Sequence, residues 1–222
     1  MWTGEVGFLL SSGIRPTSNM GMFQIPLKWR RGSISTHFLI SPFPPNFHAV
    51  IKKKPAMSTT SLGLIYLEEM EAEATATRKC LERVPERLFS WKPHEKSMSL
   101  DYLSLLVAEI PKWIAHIVEK GDLDLATFEH YKPATTADLV AHFDDNMAAA
   151  KRALKGVTSE ELDTSFNLKS NGAIVLTSSK KEIVGSSINH MVHHRGQLTV
   201  YLRLNDIPVP SIYGPSADDR GF

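Results

Sequence analysis

Between residues 60 and 205, apolar side chains recur every three or four positions in four long runs. That spacing admits little besides amphipathic helices packed side by side. The first run extends from about Thr60 to Val84, with Leu64, Leu67, Met70 and Ala74 on one stripe and Pro85 ending it. Ser99 is placed to cap a second helix from Leu100 to about Lys120, with Leu103, Val107, Ile110, Ile114 and Ile117 as its apolar face and Gly121 as its stop. Pro111 falls inside this helix and is expected to kink or divide it. A third helix starts at Thr135 or Thr136 and reaches about Leu154, turning Leu139, Phe143 and Met147 inward. A short Thr158-Ser-Glu-Glu-Leu turn comes next. Residues 165–177 then alternate about Asn171-Gly172, a pair that favours a two-residue hairpin turn because both positions tolerate positive φ. The last helix runs from about Ser179 to Asn205. The expected fold is all-α: a four-helix bundle with a small β-hairpin before the last helix.

Residues 1–56 read differently. Pro16, Pro26, Pro42, Pro44, Pro45 and Pro55 interrupt them, and no period of about 2 or about 3.6 residues is sustained. They are expected to be a poorly ordered or irregular N-terminal extension to a domain over residues 57–222. Met57-Ser-Thr-Thr-Ser has the form of a start followed by a helix cap, so the upstream Met1 is read as a misassigned start. Peptide mass spectrometry of the native protein that recovered residues 20–50 would overturn that reading.

Charge excludes some partners. Twenty-five basic and 24 acidic side chains leave a formal charge of +1, without the clustered positive excess that nucleic acid or an anionic bilayer requires. Lys52-Lys53-Lys54 is read as a solvated linker. No apolar run approaches the roughly 20 residues needed to span a membrane, and the N-terminus lacks the charge pattern of a secretory signal. Cys80 is the single cysteine, which rules out an intramolecular disulfide and fits a cytoplasmic protein.

The candidate chemistry lies on the last helix. At about 100° per residue, His194 falls about 40° from His190, on the arc shared by Ile183, Ser187, Met191, Leu198, Tyr201 and Leu202, while His193 points away. Two buried neutral imidazoles need partners for their donors and acceptors. A divalent metal satisfies both, since rings at i and i+4 converge on one ion. Carboxylates, backbone carbonyls or water in a polar cleft would also serve. No serine–histidine–aspartate set, phosphate-binding glycine loop or carboxylate pair suggests another chemistry. His142-Phe-Asp-Asp on the third helix is read as a solvated face, and Gly196 as a site of close helix packing.

His190-Met-Val-His-His-Arg-Gly-Gln-Leu-Thr-Val-Tyr-Leu-Arg-Leu, then Pro208, Pro210 and Tyr213-Gly-Pro, resemble the C-terminal signature of the DinB-like (YfiT-related) four-helix family. This is the damage-inducible, stress-associated family and not the polymerase that shares its name. The likeness spans about Met57 to Asp219 and includes Ala108-Glu109-Ile110-Pro111-Lys112-Trp113. It implies a homodimeric bundle in which three histidines hold nickel, zinc or iron for thiol transfer or hydrolysis of a small substrate. His190 and His194 match two of the three. The position of the third reads Leu106, which cannot ligate; Glu109, one turn later, either completes the set or is a solvated helix carboxylate or a partner for Arg195. The competing expectation is a non-catalytic dimeric bundle, or a small-ligand binder, with an incomplete site.

Overall fold

The computed structural model describes residues 61–221, so the expected N-terminal extension lies outside the described residues. Among these residues the chain forms five α-helices and three strands: α1 (Leu62–Leu81), α2 (Leu100–Glu119), β1 (Asp122–Asp124), α3 (Thr136–Gly156), α4 (Ser159–Leu162), β2 (Ser165–Ser170), β3 (Ala173–Ser179) and α5 (Lys180–Leu204). A single 3-10 turn, Glu86–Leu88, follows α1. The protein is therefore mostly helical. No described helix is long and apolar enough to cross a membrane.

Local chemistry explains where most helices begin. Thr135, Thr158 and Ser179 each accept a bond from the backbone of the residue three positions on. The acids Asp138, Glu161 and Glu182 return the bond, so α3, α4 and α5 all open on complete capping boxes. Ser99 precedes α2 but makes no such bond, and its hydroxyl turns to the Asp101 carboxylate. Helix α2 continues unbroken through Pro111, so the expected division does not occur.

Helix α2 lies against α3 and α5, and α1 packs against the same two helices. The expected faces of α2 and α3 are buried as read. That of α1 is not. Leu64 is exposed, and the buried positions are Gly63, Met70, Thr77, Cys80 and Leu81. Gly63 makes a close approach at the start of the helix. A Cβ on Gly63 would stand 2.5 Å from the Leu154 carbonyl oxygen and 2.7 Å from Val157 Cγ1. Gly63→Ala should gain about 1 kcal/mol in helix propensity. The backbone shift it forces should outweigh that, leaving a net loss of about 2 kcal/mol by urea unfolding.

Strands β2 and β3 form the expected hairpin, Ser170 pairing with Ala173 across Asn171 (φ 51°) and Gly172 (φ 79°). Both turn amides donate to the Asp124 carboxylate at 3.0 and 2.7 Å. Strand β1 joins β2 in parallel, Leu123 opposite Leu168, giving a three-stranded sheet where only a hairpin was expected.

Candidate functional site

His190 and His194 are both buried on α5, 9% and 7% exposed, as their place on the apolar arc requires. Their Nε2 atoms stand 2.6 Å apart. The Nδ1 of His194 is 2.8 Å from the Gln197 amide oxygen, which can only accept. Nδ1 of His194 is thus the protonated nitrogen, and its Nε2 carries a lone pair aimed at His190. Without an ion, His190 Nε2–H donates into that lone pair. Trp113 of α2 lies against the His190 ring, with centroids 5.9 Å apart.

Burial, with His194 and His193 nearby, pushes the His190 imidazole down to about 4. Burial also lowers His194, against the opposing pull of Gln197. An unfolded histidine takes its proton near 6.5, so the unfolded chain binds more protons than the native one between pH 6.5 and about 4. Native stability should therefore be full above pH 6.5 and fall as pH drops through that window, by about 3 kcal/mol from this ring. Denaturant titrations of chelator-treated protein between pH 7 and 4 check this, and His190→Gln should flatten the slope.

Glu109 does not join the histidine pair. It is fully buried on α2, and its carboxylate accepts from the Tyr131 amide at 2.8 Å and meets His130 Nδ1 at 2.6 Å. His142 Nε2 lies 3.6 Å from the same carboxylate. Among the described residues no three His, Cys, Asp or Glu side chains converge to hold an ion, so the expected set of His190, His194 and Glu109 is not assembled. Leu106, at the vacant third position, is core at 1% exposure.

Other readings sort likewise. His142 is not on a solvated face: its side chain is 15% exposed and stacks on Tyr131 with centroids 4.3 Å apart. A Cβ on Gly196 would meet nothing within 4 Å among the described residues, so Gly196 is not the close-packing glycine of this fold. Arg195 is 1% exposed, ion-paired with Glu73 and bonded to Thr77 Oγ1 and Tyr213 Oη at 3.0 and 2.8 Å. Burial raises the Cys80 thiol to about 11, which leaves it protonated and inert as a nucleophile at neutral pH.

These features define a helical protein whose last helix carries an inward histidine pair oriented by a glutamine one turn on. The DinB family matches residues 57–220, and the chain belongs to that family. It is 25% identical over 127 residues to the uncharacterized protein YjoA of Bacillus subtilis (strain 168), covering 57% of this chain and 80% of that one. With the uncharacterized protein YrdA of the same strain it shares 26% identity over 155 residues, 69% of this chain and 89% of the other. The crystal structure of YjoA, a DinB-like protein, superposes with a TM-score of 0.53 at 19% identity, over 70% of this chain and 99% of YjoA. A DinB-like protein from Bacillus cereus ATCC 10987 superposes with a TM-score of 0.51 at 21% identity, over 67% of this chain and 95% of its own. At these identities the structural likeness establishes the fold.

Proposed function

We propose that this protein is a four-helix-bundle enzyme that depends on a divalent metal (nickel, zinc or iron) held by His190 and His194, and that it performs thiol transfer or hydrolysis. The observation that carries the reading is the convergence of two buried Nε2 atoms, hydrogen-bonded to each other and needing only a small separation to admit an ion, with Gln197 holding Nδ1 of His194 so that its lone pair points inward. An outer hydrogen-bond acceptor of this kind fixes the tautomer and ring orientation that ligation needs. The low proton affinity of His190 also keeps that ring neutral at physiological pH, as a ligand must be.

A metal at this pair would supply Lewis acidity and lower the pKa of a bound water or thiol. The chain's own contributions are separable from it. Gln197 orients His194. Trp113 shields the His190 face. Glu109 stays bonded to His130 and Tyr131, so it would not be among the residues holding the ion.

The second reading is a non-catalytic bundle whose two histidines satisfy each other. The core placement of Leu106 favours it. Elemental analysis of tag-free protein, grown with nickel, zinc and iron supplied, separates the two. The enzyme reading expects close to one equivalent of metal, lost in His190→Ala and in His194→Ala. Sub-stoichiometric metal unaffected by either substitution would leave the second reading standing.

A further inference from the structure

A second group of ionisable side chains lies on the loop side of α2 and plays no part in the histidine pair. Glu109 is completely buried, a costly place for a carboxylate unless its oxygens are bonded. One oxygen takes the Tyr131 amide, and the other meets His130 Nδ1 at 2.6 Å. His130 sits on the segment between β1 and α3, with its side chain 36% exposed. A carboxylate accepts only, so Nδ1 carries a proton, and in the neutral ring Nε2, on the other side, bears the lone pair. Aromatic rings flank it: Phe128 at 5.1 Å and Tyr102 at 6.2 Å between centroids, both edge-on. The Trp113 indole N–H, buried and without a partner among the described residues, packs beside Phe128 at 6.0 Å.

A carboxylate-held imidazole on a partly exposed side chain with aromatic neighbours is the arrangement that activates histidine as a nucleophile or base. We propose that Glu109 and His130 form a metal-independent acyl-transfer dyad whose substrates are small activated aryl esters bound against Phe128 and Tyr102. The Nε2 lone pair bonds to the ester carbonyl carbon, and the carbon–oxygen bond to the aryloxide breaks with its electron pair on the leaving oxygen. The Nδ1 proton passes to Glu109, leaving a neutral acyl-imidazole. Water then attacks the acyl carbon, the nitrogen–carbon bond breaks, and Glu109 returns its proton to Nδ1. The two protons of that water go to solvent, one neutralising the aryloxide.

The test uses chelator-treated full chain and 4-nitrophenyl acetate at neutral pH. Release of 4-nitrophenolate should exceed that from an equal concentration of free imidazole by about tenfold or more. It should fall to the imidazole level in His130→Gln and Glu109→Gln, and hold in His94→Gln, an exposed ring bonded to the Lys96 amide and not to the dyad. Should the Glu109 variant not fold, the wild type suffices. Peptide mapping during diethyl pyrocarbonate treatment should then show His130 modified well before the exposed His94. A rate no greater than imidazole, a rate unchanged in His130→Gln, or His130 reacting no faster than His94 would each overturn the proposal.

Discussion

Arg195→Ala is expected to lower stability by about 3–4 kcal/mol, because it removes one partner of a buried ion pair. The guanidinium side chain is 2% exposed and Glu73 is 14% exposed. Its bonds reach the Thr77 hydroxyl and backbone carbonyl oxygen of Glu73 on α1, and the Tyr213 hydroxyl on the tail. Tyr213 donates in turn to the Glu73 carboxylate at 3.0 Å. One side chain therefore joins α5, α1 and the C-terminal segment. Truncation strands a shielded carboxylate and opens a cavity together. For a domain of this size the loss corresponds to a fall of about 10 °C in Tm. Calorimetry of the metal-free protein checks it. Replacing both charges, as Arg195→Met with Glu73→Leu, should recover most of the loss, since a buried pair contributes little net stability over apolar residues of similar volume.

The second large effect concerns metal affinity. Loss of an outer hydrogen-bond partner weakens metal sites about 10–100-fold. Loss of one of two protein ligands must cost more, so His190→Ala and His194→Ala should each reduce affinity by at least about a hundredfold. Gln197→Leu, which only releases the orientation of His194, should cost about tenfold.

The sequence was most legible where a local rule acts alone. Asn171-Gly172 needs positive φ at both positions and forms the expected turn. Thr135 and Ser179 cap helices because their hydroxyls reach the amide three residues on. The wheel buried His190 and His194 correctly because α5 has apolar neighbours at every turn of that face. Legibility failed where the decisive contact was distant in sequence. Gly63, not its neighbour Leu64, is buried at the start of α1, where it meets Leu154 and Val157 more than ninety residues away, a contact no period within α1 encodes. Strand β1 is three residues long and exists through its pairing with β2.

The same limit applied to the site. The motif brought out the pair on α5, but Gln197 acquired its role only from its place beside Nδ1 of His194. His130 carried no signal at all, lying in a loop 21 residues from the Glu109 carboxylate it meets. His142, whose neighbours Asp144 and Asp145 are exposed, turns inward under Tyr131. The clue available in the sequence was the apolar run around Glu109, Leu105-Leu106-Val107-Ala108 before it and Ile110-Pro111 after it, since a carboxylate buried there must find donors.

The proposed function rests on two imidazoles of α5 holding a divalent ion. Chelator-competition titration of zinc and nickel into tag-free wild type, His190→Ala, His194→Ala and Gln197→Leu tests it most directly. One ion per chain is expected in the wild type, with a loss of at least about a hundredfold in affinity for either histidine variant and about tenfold for the glutamine variant. Equal affinity in all four proteins, or no binding by the wild type, would contradict it.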